Sequence, residues 1–415
     1  MRCCAHILNL IVRDGLASVS KSVVAIRNAV KYVRSSTPRL ESFQARVMFG
    51  KVSRGSVTLD CVTRWNSTYL MLTSALKFRD AFEKLLAEDK LYNDYFMEIE
   101  EEGEKRIGPP TSVSWDEIHR LVKFLKLFFN CTLAFSASKT VTSSLCYNEI
   151  IIIEQHLISL SFHNDPLLQK QAIAMRTKFE KYWDGLINMN PLVIIASVFD
   201  TRNKMQFASV CFDKLYGKDS EESKHLRSSI KMVMKNLYEE YVAKQSTSSQ
   251  GGSKNDMGDS EQASDAVFDL SDDDGYDREF LYSEMDTETA NEEATSELDI
   301  YLMEKRVPRM KNVLGLDYDV LSWWKRNSVK FPILAELARD VLAIQVSSVA
   351  SESAFSTSGR ILDPYRSCLT PNMLEALLCL QQWLRNTMNA ERIANLAQMV
   401  EELEFHDSLG NHLQF

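Results

Sequence analysis

The chain has 415 residues, 45% of them hydrophobic, and a formal net charge of −9. This length predicts two or three domains with a sizeable core, and no apolar run approaches the roughly 18 residues that a membrane span needs. Eight cysteines without a paired spacing pattern favour reduced thiols in a cytosolic or nuclear compartment over a disulfide framework.

The charge is distributed unevenly along the chain. The first 64 residues hold 11 Lys or Arg against three acidic residues, whereas residues 246–299 hold 17 acidic and 2 basic side chains. A basic segment of this density is typical of a phosphate-facing surface, although basic helices also occur as plain solvated faces. The acidic stretch predicts a disordered linker over residues 244–297, because dense like charge and few apolar side chains cannot offset the cost of ordering.

The first 35 residues predict one helix or two, because apolar residues recur at three- and four-residue steps from Ile7 to Val33. Cys3 and His6 lie about one helical turn apart and could share a zinc ion. A structural zinc site needs four ligands, however, and no second Cys/His pair is in view. Packing or hydrogen bonding of both residues within the core is therefore the preferred interpretation.

A second distinctive block, residues 59–72, reads Leu-Asp-Cys-Val-Thr-Arg-Trp-Asn-Ser-Thr-Tyr-Leu-Met-Leu. It predicts a short strand through 60–63, followed by a helix capped by Asn66 or Ser67. Residues 70–240 then predict long amphipathic helices that form a scaffold. Within them, Asp200 could suggest catalysis, but a cap on the turn that follows it is the preferred role.

The C-terminal part combines apolar helices with a polar run. Residues 333–342 predict an amphipathic helix, and Ser347 or Ser348 could cap a new helix that places Glu352 in its first turn, where the helix dipole favours a carboxylate. The closing helix around Leu377 and Trp383 is apolar on more than one side. It therefore needs cover from its own core or from a second subunit.

Several of these stretches resemble one known family. The sequences Ser-Glu-Ser-Ala-Phe-Ser at 351–356, Gly-Arg-Ile-Leu-Asp-Pro-Tyr-Arg-Ser at 359–367 and Ala-Leu-Leu-Cys-Leu-Gln-Gln-Trp-Leu at 376–384 resemble the C-terminal dimerisation region of hAT-superfamily transposases. Residues 2–10, Arg-Cys-Cys-Ala-His-Ile-Leu-Asn-Leu, and the Arg64-Trp65 block resemble further motifs of that family. The pattern is most similar to the plant RICESLEEPER and DAYSLEEPER group of transposase-derived, BED-finger proteins.

The resemblance implies a mainly α chain with a partial RNase-H-like core. The implied domains are a remnant of that core at 1–80, a helical insertion at 81–243 with an RNase-H-fold region at about 180–243, the acidic linker at 244–297, a dimerisation region at 298–386 and a tail at 387–415.

The resemblance also implies roles for individual residues. Glu352 takes the position of the third carboxylate in the family's metal-binding Asp-Asp-Glu triad. Arg64 and Trp65 become candidates for DNA contact, since a guanidinium can hold a phosphate and an indole can stack on an extruded base, a contact worth about 1–3 kcal/mol; burial of Trp65 in the core is an equally favoured alternative. The implied dimerisation residues are Trp323, Trp324, Phe355, Leu377 and Trp383.

In full-length relatives the first two aspartates and the BED finger precede the Cys-x-x-His block, so the sequence predicts an N-terminally truncated, catalytically silent remnant. We expect a nuclear homodimer that contacts DNA and has no cofactor, no bound metal, no membrane partner and no small-molecule substrate. Two alternatives remain open. The chain could be part of an active metal-dependent DNA transposase, or a helical scaffold that binds only protein.

Overall fold

The fold is mainly α-helical. The computed structural model describes residues 2–49, 56–99, 103–137, 140–183, 189–248, 296–308, 318–349, 352 and 370–380, and within these residues the β pairing consists of one isolated bridge between Ile99 and Lys105. The predicted linker at 244–297 therefore falls outside the described residues except at its two ends. No described helix is both long and apolar enough to cross a membrane.

The helices are joined by connections of very different length. In chain order they are α1 Cys4–Leu16, α2 Ser20–Arg34, α3 Thr37–Phe49, α4 Trp65–Lys77, α5 Arg79–Glu88, α6 Lys90–Tyr95, α7 Ser112–Ser136, α8 Ser143–Ser161, α9 Pro166–Trp183, α10 Pro191–Val198, α11 Lys204–Tyr216, α12 Glu221–Ser248, α13 Glu297–Met303, α14 Val320–Arg326 and α15 Pro332–Leu342.

The chain divides into two compact units. The first contains the described parts of 1–241, 276–307 and 320–347, and the second contains those of 242–275, 308–319 and 348–415. The segment that follows the acidic stretch thus returns to the unit built by the N-terminal half of the chain.

Helix α8 forms the centre of the first unit. It is enclosed on nearly all sides because its sequence is apolar around the whole helix, including the run Ile150–Ile153. Helices α7, α9 and α10 pack against it. The Ser197 hydroxyl of α10 donates to Asn148 Oδ1 of this helix at 2.8 Å, which joins the two helices by a buried polar contact.

The N-terminal 35 residues form two helices, joined by a 3₁₀ turn at Ala17–Val19. Helix α1 packs closely on α9, since Gly15 faces Met175 at a distance that leaves no space for a β-carbon. Helix α2 packs on α7, α3 and α4. This packing positions the block that contains Arg64.

Two expectations for that block are wrong. Residues 60–63 form a turn and irregular backbone rather than a strand, because no neighbouring strand is present among the described residues to pair with them. Helix α4 begins at Trp65 with Arg64 as its N-cap residue and has no side-chain cap, so neither Asn66 nor Ser67 takes the predicted capping position.

Candidate nucleic-acid interface

The loop before α4 is held in shape by Ser67. The Ser67 hydroxyl accepts a hydrogen bond from the N–H of Cys61 at 2.8 Å and donates to the carbonyl of Arg64 at 2.7 Å. A further backbone bond joins the N–H of Arg64 to the carbonyl of Cys61 at 2.8 Å. These bonds close a tight turn and leave the Arg64 side chain exposed at its end.

An ion pair fastens this loop to α2. Arg27 donates two hydrogen bonds to Asp60 Oδ2, at 2.9 and 2.8 Å, and Thr68 Oγ1 donates a third at 2.8 Å. Burial by itself would raise the pKa of Asp60, but the bonds from Arg27 and Thr68 outweigh it, and the pKa lies below its ordinary value. Asp60 is therefore a charged anchor for the loop.

The anchor joins the loop to a stripe of α2 that carries further basic residues. Lys31 and Arg34 follow Arg27 at the i+4 and i+7 positions, so the three side chains share one stripe of the helix. Lys31 and Arg34 are exposed, and within the described residues neither they nor Arg64 has an ion-pair partner. We call Lys31, Arg34 and Arg64 the basic face.

The structure treats the two predicted DNA-contact residues differently. Arg64 is exposed, whereas Trp65 is only 4% exposed and meets Tyr69 edge to face, with ring centroids 6.3 Å apart. Trp65 thus takes the core position that the sequence left open as an alternative. Stacking on a base would require its indole to leave that core, so the side chain available for DNA contact in this conformation is Arg64.

In the described part of the chain, which includes the Cys-x-x-His motif, no group of three or more His, Cys, Asp and Glu side chains is arranged to hold an ion. The thiol of Cys3 donates to the Ser347 hydroxyl at 3.7 Å, and His6 is exposed. The preferred interpretation of core packing thus holds in part for Cys3, which is half-buried, but is wrong for His6.

Glu352 lies in the second compact unit. It is exposed, its N–H donates to the carbonyl of Ser348 at 2.9 Å, and its carboxylate accepts the Ser348 hydroxyl at 2.7 Å. The backbone bond is that of one helical turn, but the Ser348 hydroxyl donates to the carboxylate of Glu352 instead of accepting a backbone N–H, so these bonds do not show the predicted serine cap.

The predicted dimerisation residues are placed in different environments. Trp324 is 1% exposed and donates its indole N–H to the carbonyl of Phe199 at 2.9 Å, so it is part of the core of its own chain and offers no contact area to a second copy. Trp323 is half-buried and stacks on Phe331. Leu377 is half-buried in a helix of residues 371–380 in the second unit, and Phe355 and Trp383 lie outside the described residues.

Trp324 belongs to a joint that the sequence did not predict. The turn between α10 and α11 receives the returning chain at four points. The Trp324 indole N–H donates to the carbonyl of Phe199, and the Tyr301 hydroxyl donates to the carbonyl of Val198 at 2.8 Å. The N–H of Val307 donates to the carbonyl of Thr201 at 3.0 Å. Lys204 Nζ donates to the carbonyls of Tyr301 and Glu304 at 2.7 and 2.8 Å. We call this set of contacts the return joint.

Asp200 and Lys204 have structural roles in the return joint. Asp200 accepts the N–H of Arg202 at 3.0 Å and two bonds from its guanidinium, which confirms the predicted cap on the turn. Lys204 is 1% exposed, and its ammonium reaches the last carbonyls of α13, where the helix dipole favours a cation. Burial lowers the pKa of Lys204 to about 8, against the opposing effect of Glu304. No periodicity signals a buried lysine, because lysines are rarely enclosed.

Comparison with protein families agrees with this architecture. Residues 1–108 match the ZBED1 RNase-like helical domain, residues 144–241 match the hAT-like transposase RNase-H fold, and residues 297–384 match the hAT family C-terminal dimerisation region. The chain belongs to the hAT superfamily of transposase-derived proteins.

The relatives are plant proteins. The chain is 32% identical over 393 residues to the zinc finger BED domain-containing protein RICESLEEPER 2 of Oryza sativa subsp. japonica. This alignment covers 93% of the chain and 51% of the relative. It is 32% identical over 410 residues to the putative AC transposase of Zea mays, an alignment that covers 99% of this chain and 47% of the relative. It is 29% identical over 334 residues to the zinc finger BED domain-containing protein DAYSLEEPER of Arabidopsis thaliana, and that alignment covers 79% of this chain and 41% of the relative. The chain thus spans about half the length of the relatives it matches.

Proposed function

We propose that this chain is a homodimerising, DNA-contacting and non-catalytic nuclear protein. The observation that carries the DNA part is the basic face, in which Lys31 and Arg34 on α2 and Arg64 on the anchored loop are exposed and have no ion-pair partner within the described residues. Cations in this arrangement suit the phosphate backbone, which any DNA sequence presents. The expected binding is therefore weakly sequence-dependent and strongly salt-dependent.

The DNA proposal is tested by fluorescence anisotropy of a labelled duplex over a salt series. The variant combines Lys31→Ala, Arg34→Ala and Arg64→Ala, and the matched control combines Lys218→Ala, Lys224→Ala and Lys231→Ala, which remove the same charge from exposed positions around α12. If each lost cation removes one phosphate contact, the negative slope of log association constant against log salt concentration becomes shallower by roughly 2 to 3 in the first variant. In the control it stays near the wild-type value.

Two results would contradict the DNA proposal. Equal effects of the two triple variants would mean that binding follows net charge rather than the basic face. Binding that does not change with salt, or no binding at low salt, would remove phosphate contact altogether. If the chain also failed to self-associate, the second alternative, a helical scaffold that binds only protein, would be favoured.

The homodimer part is supported by the dimerisation region at 297–384. The prediction is a mass near twice the 47.5 kDa of one chain in size-exclusion chromatography with light scattering. We also expect that Trp383→Ala weakens the dimer, as the sequence predicts. A monomer at micromolar concentration would contradict this part.

The non-catalytic part rests on the motif match, which assigns one member of the metal-binding carboxylate triad, Glu352, to this sequence. Two-metal phosphoryl transfer needs several carboxylates around the ions. The alternative that the chain is part of an active transposase is favoured by relatives such as the putative AC transposase, whose name states that activity. Incubation of the chain with a supercoiled plasmid and Mg²⁺ or Mn²⁺ distinguishes the non-catalytic protein from part of an active transposase. Nicking by wild type that is lost in Glu352→Gln would overturn the proposal.

The nuclear location is proposed because DNA contact requires it and because the relatives include BED-finger proteins. Its test is fluorescence microscopy of the tagged chain in plant cells. Exclusion of the tagged chain from the nucleus would contradict it.

A further inference from the structure

Two cysteines distant in sequence meet in the core. Cys4 begins α1 and Cys146 lies in the first turn of α8, 142 positions later, and their sulfur atoms are 3.6 Å apart. Cys4 is 3% exposed and Cys146 is fully enclosed. Both are present as thiols.

The pair lies where three parts of the chain are joined. The N–H of Cys4 donates to the carbonyl of Val346 at 2.9 Å, and the Ser143 hydroxyl donates to the carbonyl of Leu342 at 2.8 Å. The starts of α1 and α8 are thus both bonded to the end of α15 or to the segment that follows it. A covalent link between the two helices at this point would hold the segment in place as well.

We propose that Cys4 and Cys146 are an oxidation site, at which a small disulfide such as oxidised glutathione converts the two thiols into an intramolecular disulfide. A disulfide has a sulfur–sulfur length of about 2.05 Å, so the sulfurs must approach each other by about 1.5 Å. Side-chain rotation at the end of a helix supplies a movement of this size.

The chemistry consists of two exchange steps. The thiolate of Cys4 attacks one sulfur of the oxidant, forms a mixed disulfide and releases one small thiolate. The thiolate of Cys146 then attacks the Cys4 sulfur and releases the second. In total the two protein thiols lose two electrons and two protons, and the oxidant is reduced to two thiols.

The order of the steps follows from access to the two thiols. Cys4 is 3% exposed, whereas Cys146 has no exposed surface. The hydrogen bond with Cys4 and burial both raise the pKa of Cys146. Cys4 is consequently the first thiol to react, and Cys146 becomes reactive when the mixed disulfide has formed beside it.

The test uses the full chain incubated with oxidised glutathione, quenched with N-ethylmaleimide, denatured and digested without reductant for mass spectrometry. The expected product is one peptide pair joined through Cys4 and Cys146, lighter than the two reduced peptides by two hydrogen atoms and separated by dithiothreitol. Cys146→Ala should abolish this product and leave glutathione on Cys4. Cys211→Ala removes another buried thiol and should leave the product unchanged.

The exposed thiol of Cys61 shows in the same digest that the oxidant was active. Glutathione on Cys61, with Cys4 and Cys146 recovered as separate N-ethylmaleimide adducts, would overturn the proposal. A link between Cys3 and Cys4 in place of the expected one would also overturn it. Both results are read from wild type, so neither depends on the folding of a variant.

Discussion

The buried lysine of the return joint makes a prediction about the pH dependence of stability. Burial lowers the pKa of Lys204 from 10.5 to about 8. The unfolded chain therefore holds this proton over a pH range in which the folded chain has released it. Because the unfolded state binds more protons there, the free energy of unfolding rises with pH between about 8 and 10.5. The shift corresponds to about 3 kcal/mol at 1.36 kcal/mol per pKa unit.

The perturbation is Lys204→Met. Methionine keeps an unbranched apolar stem, and as an L-residue it keeps the backbone strain of the positive φ of 49° at this position. It removes the ammonium and both of its bonds to α13. The assay is denaturant unfolding followed by tryptophan fluorescence, to which Trp324 of the return joint contributes. We expect the difference in unfolding free energy, wild type minus variant, to increase by about 3 kcal/mol from neutral pH to pH 10.5.

The matched control is Lys231→Met, which changes an exposed lysine of α12. Its difference from wild type should stay constant over the same pH range. A constant difference for Lys204→Met would refute the reasoning, because it would mean that burial does not perturb this lysine. A difference that falls as pH rises would also refute it, since the carbonyls of Tyr301 and Glu304 would then stabilise the ammonium by more than burial costs.

The other predictions concern Asp60, which anchors the loop before α4, and Trp324 of the return joint. Asp60→Asn should destabilise the chain by about 3–5 kcal/mol at neutral pH, because Arg27 then loses its charged partner. Since the pKa of Asp60 is lowered in the folded chain, the difference in unfolding free energy between wild type and variant should disappear as pH falls through that pKa. Denaturant unfolding over an acidic pH series measures this difference. Trp324→Phe should cost about 1–3 kcal/mol, because the Phe199 carbonyl loses its donor, and should leave the mass measured by light scattering unchanged. A loss of the dimer in Trp324→Phe would show that this tryptophan faces a second copy after all.

Periodicity predicted much of the helical scaffold. In the predicted stripe of α7, Leu121, Phe124, Leu125 and Phe128 are buried and Phe129 is half-buried. The helix predicted from 333 to 342 is α15. Such patterns identify which side of a helix avoids water, because the apolar spacing matches the helical repeat. They do not identify what covers that side. Trp324 was therefore predicted at a subunit interface, although its partner is Phe199 of the same chain.

The candidate site was harder to predict for a related reason. The pattern around Arg64 and Trp65 marked the right stretch, but two adjacent residues at a helix start can point in opposite directions, one to solvent and one to the core. The ion pair between Arg27 and Asp60 joins residues 33 positions apart, a separation that no local pattern reveals. Lys204 was missed because its enclosure depends on a segment almost 100 residues later in the chain.

Helix α15 holds both flanks of the long acidic stretch. The Tyr241 hydroxyl donates to Asp340 near the end of α15, and Glu297 accepts the N–H groups of Ile333 and Leu334 at its start, at 3.1 and 2.9 Å. These attachment points are six to seven residues apart on one helix, about 10 Å along its axis. The chain therefore comes back to the same helix 56 positions after it leaves Tyr241. A donor and an acceptor fluorophore attached beside Tyr241 and Glu297 would lie within energy-transfer distance of each other in the folded chain.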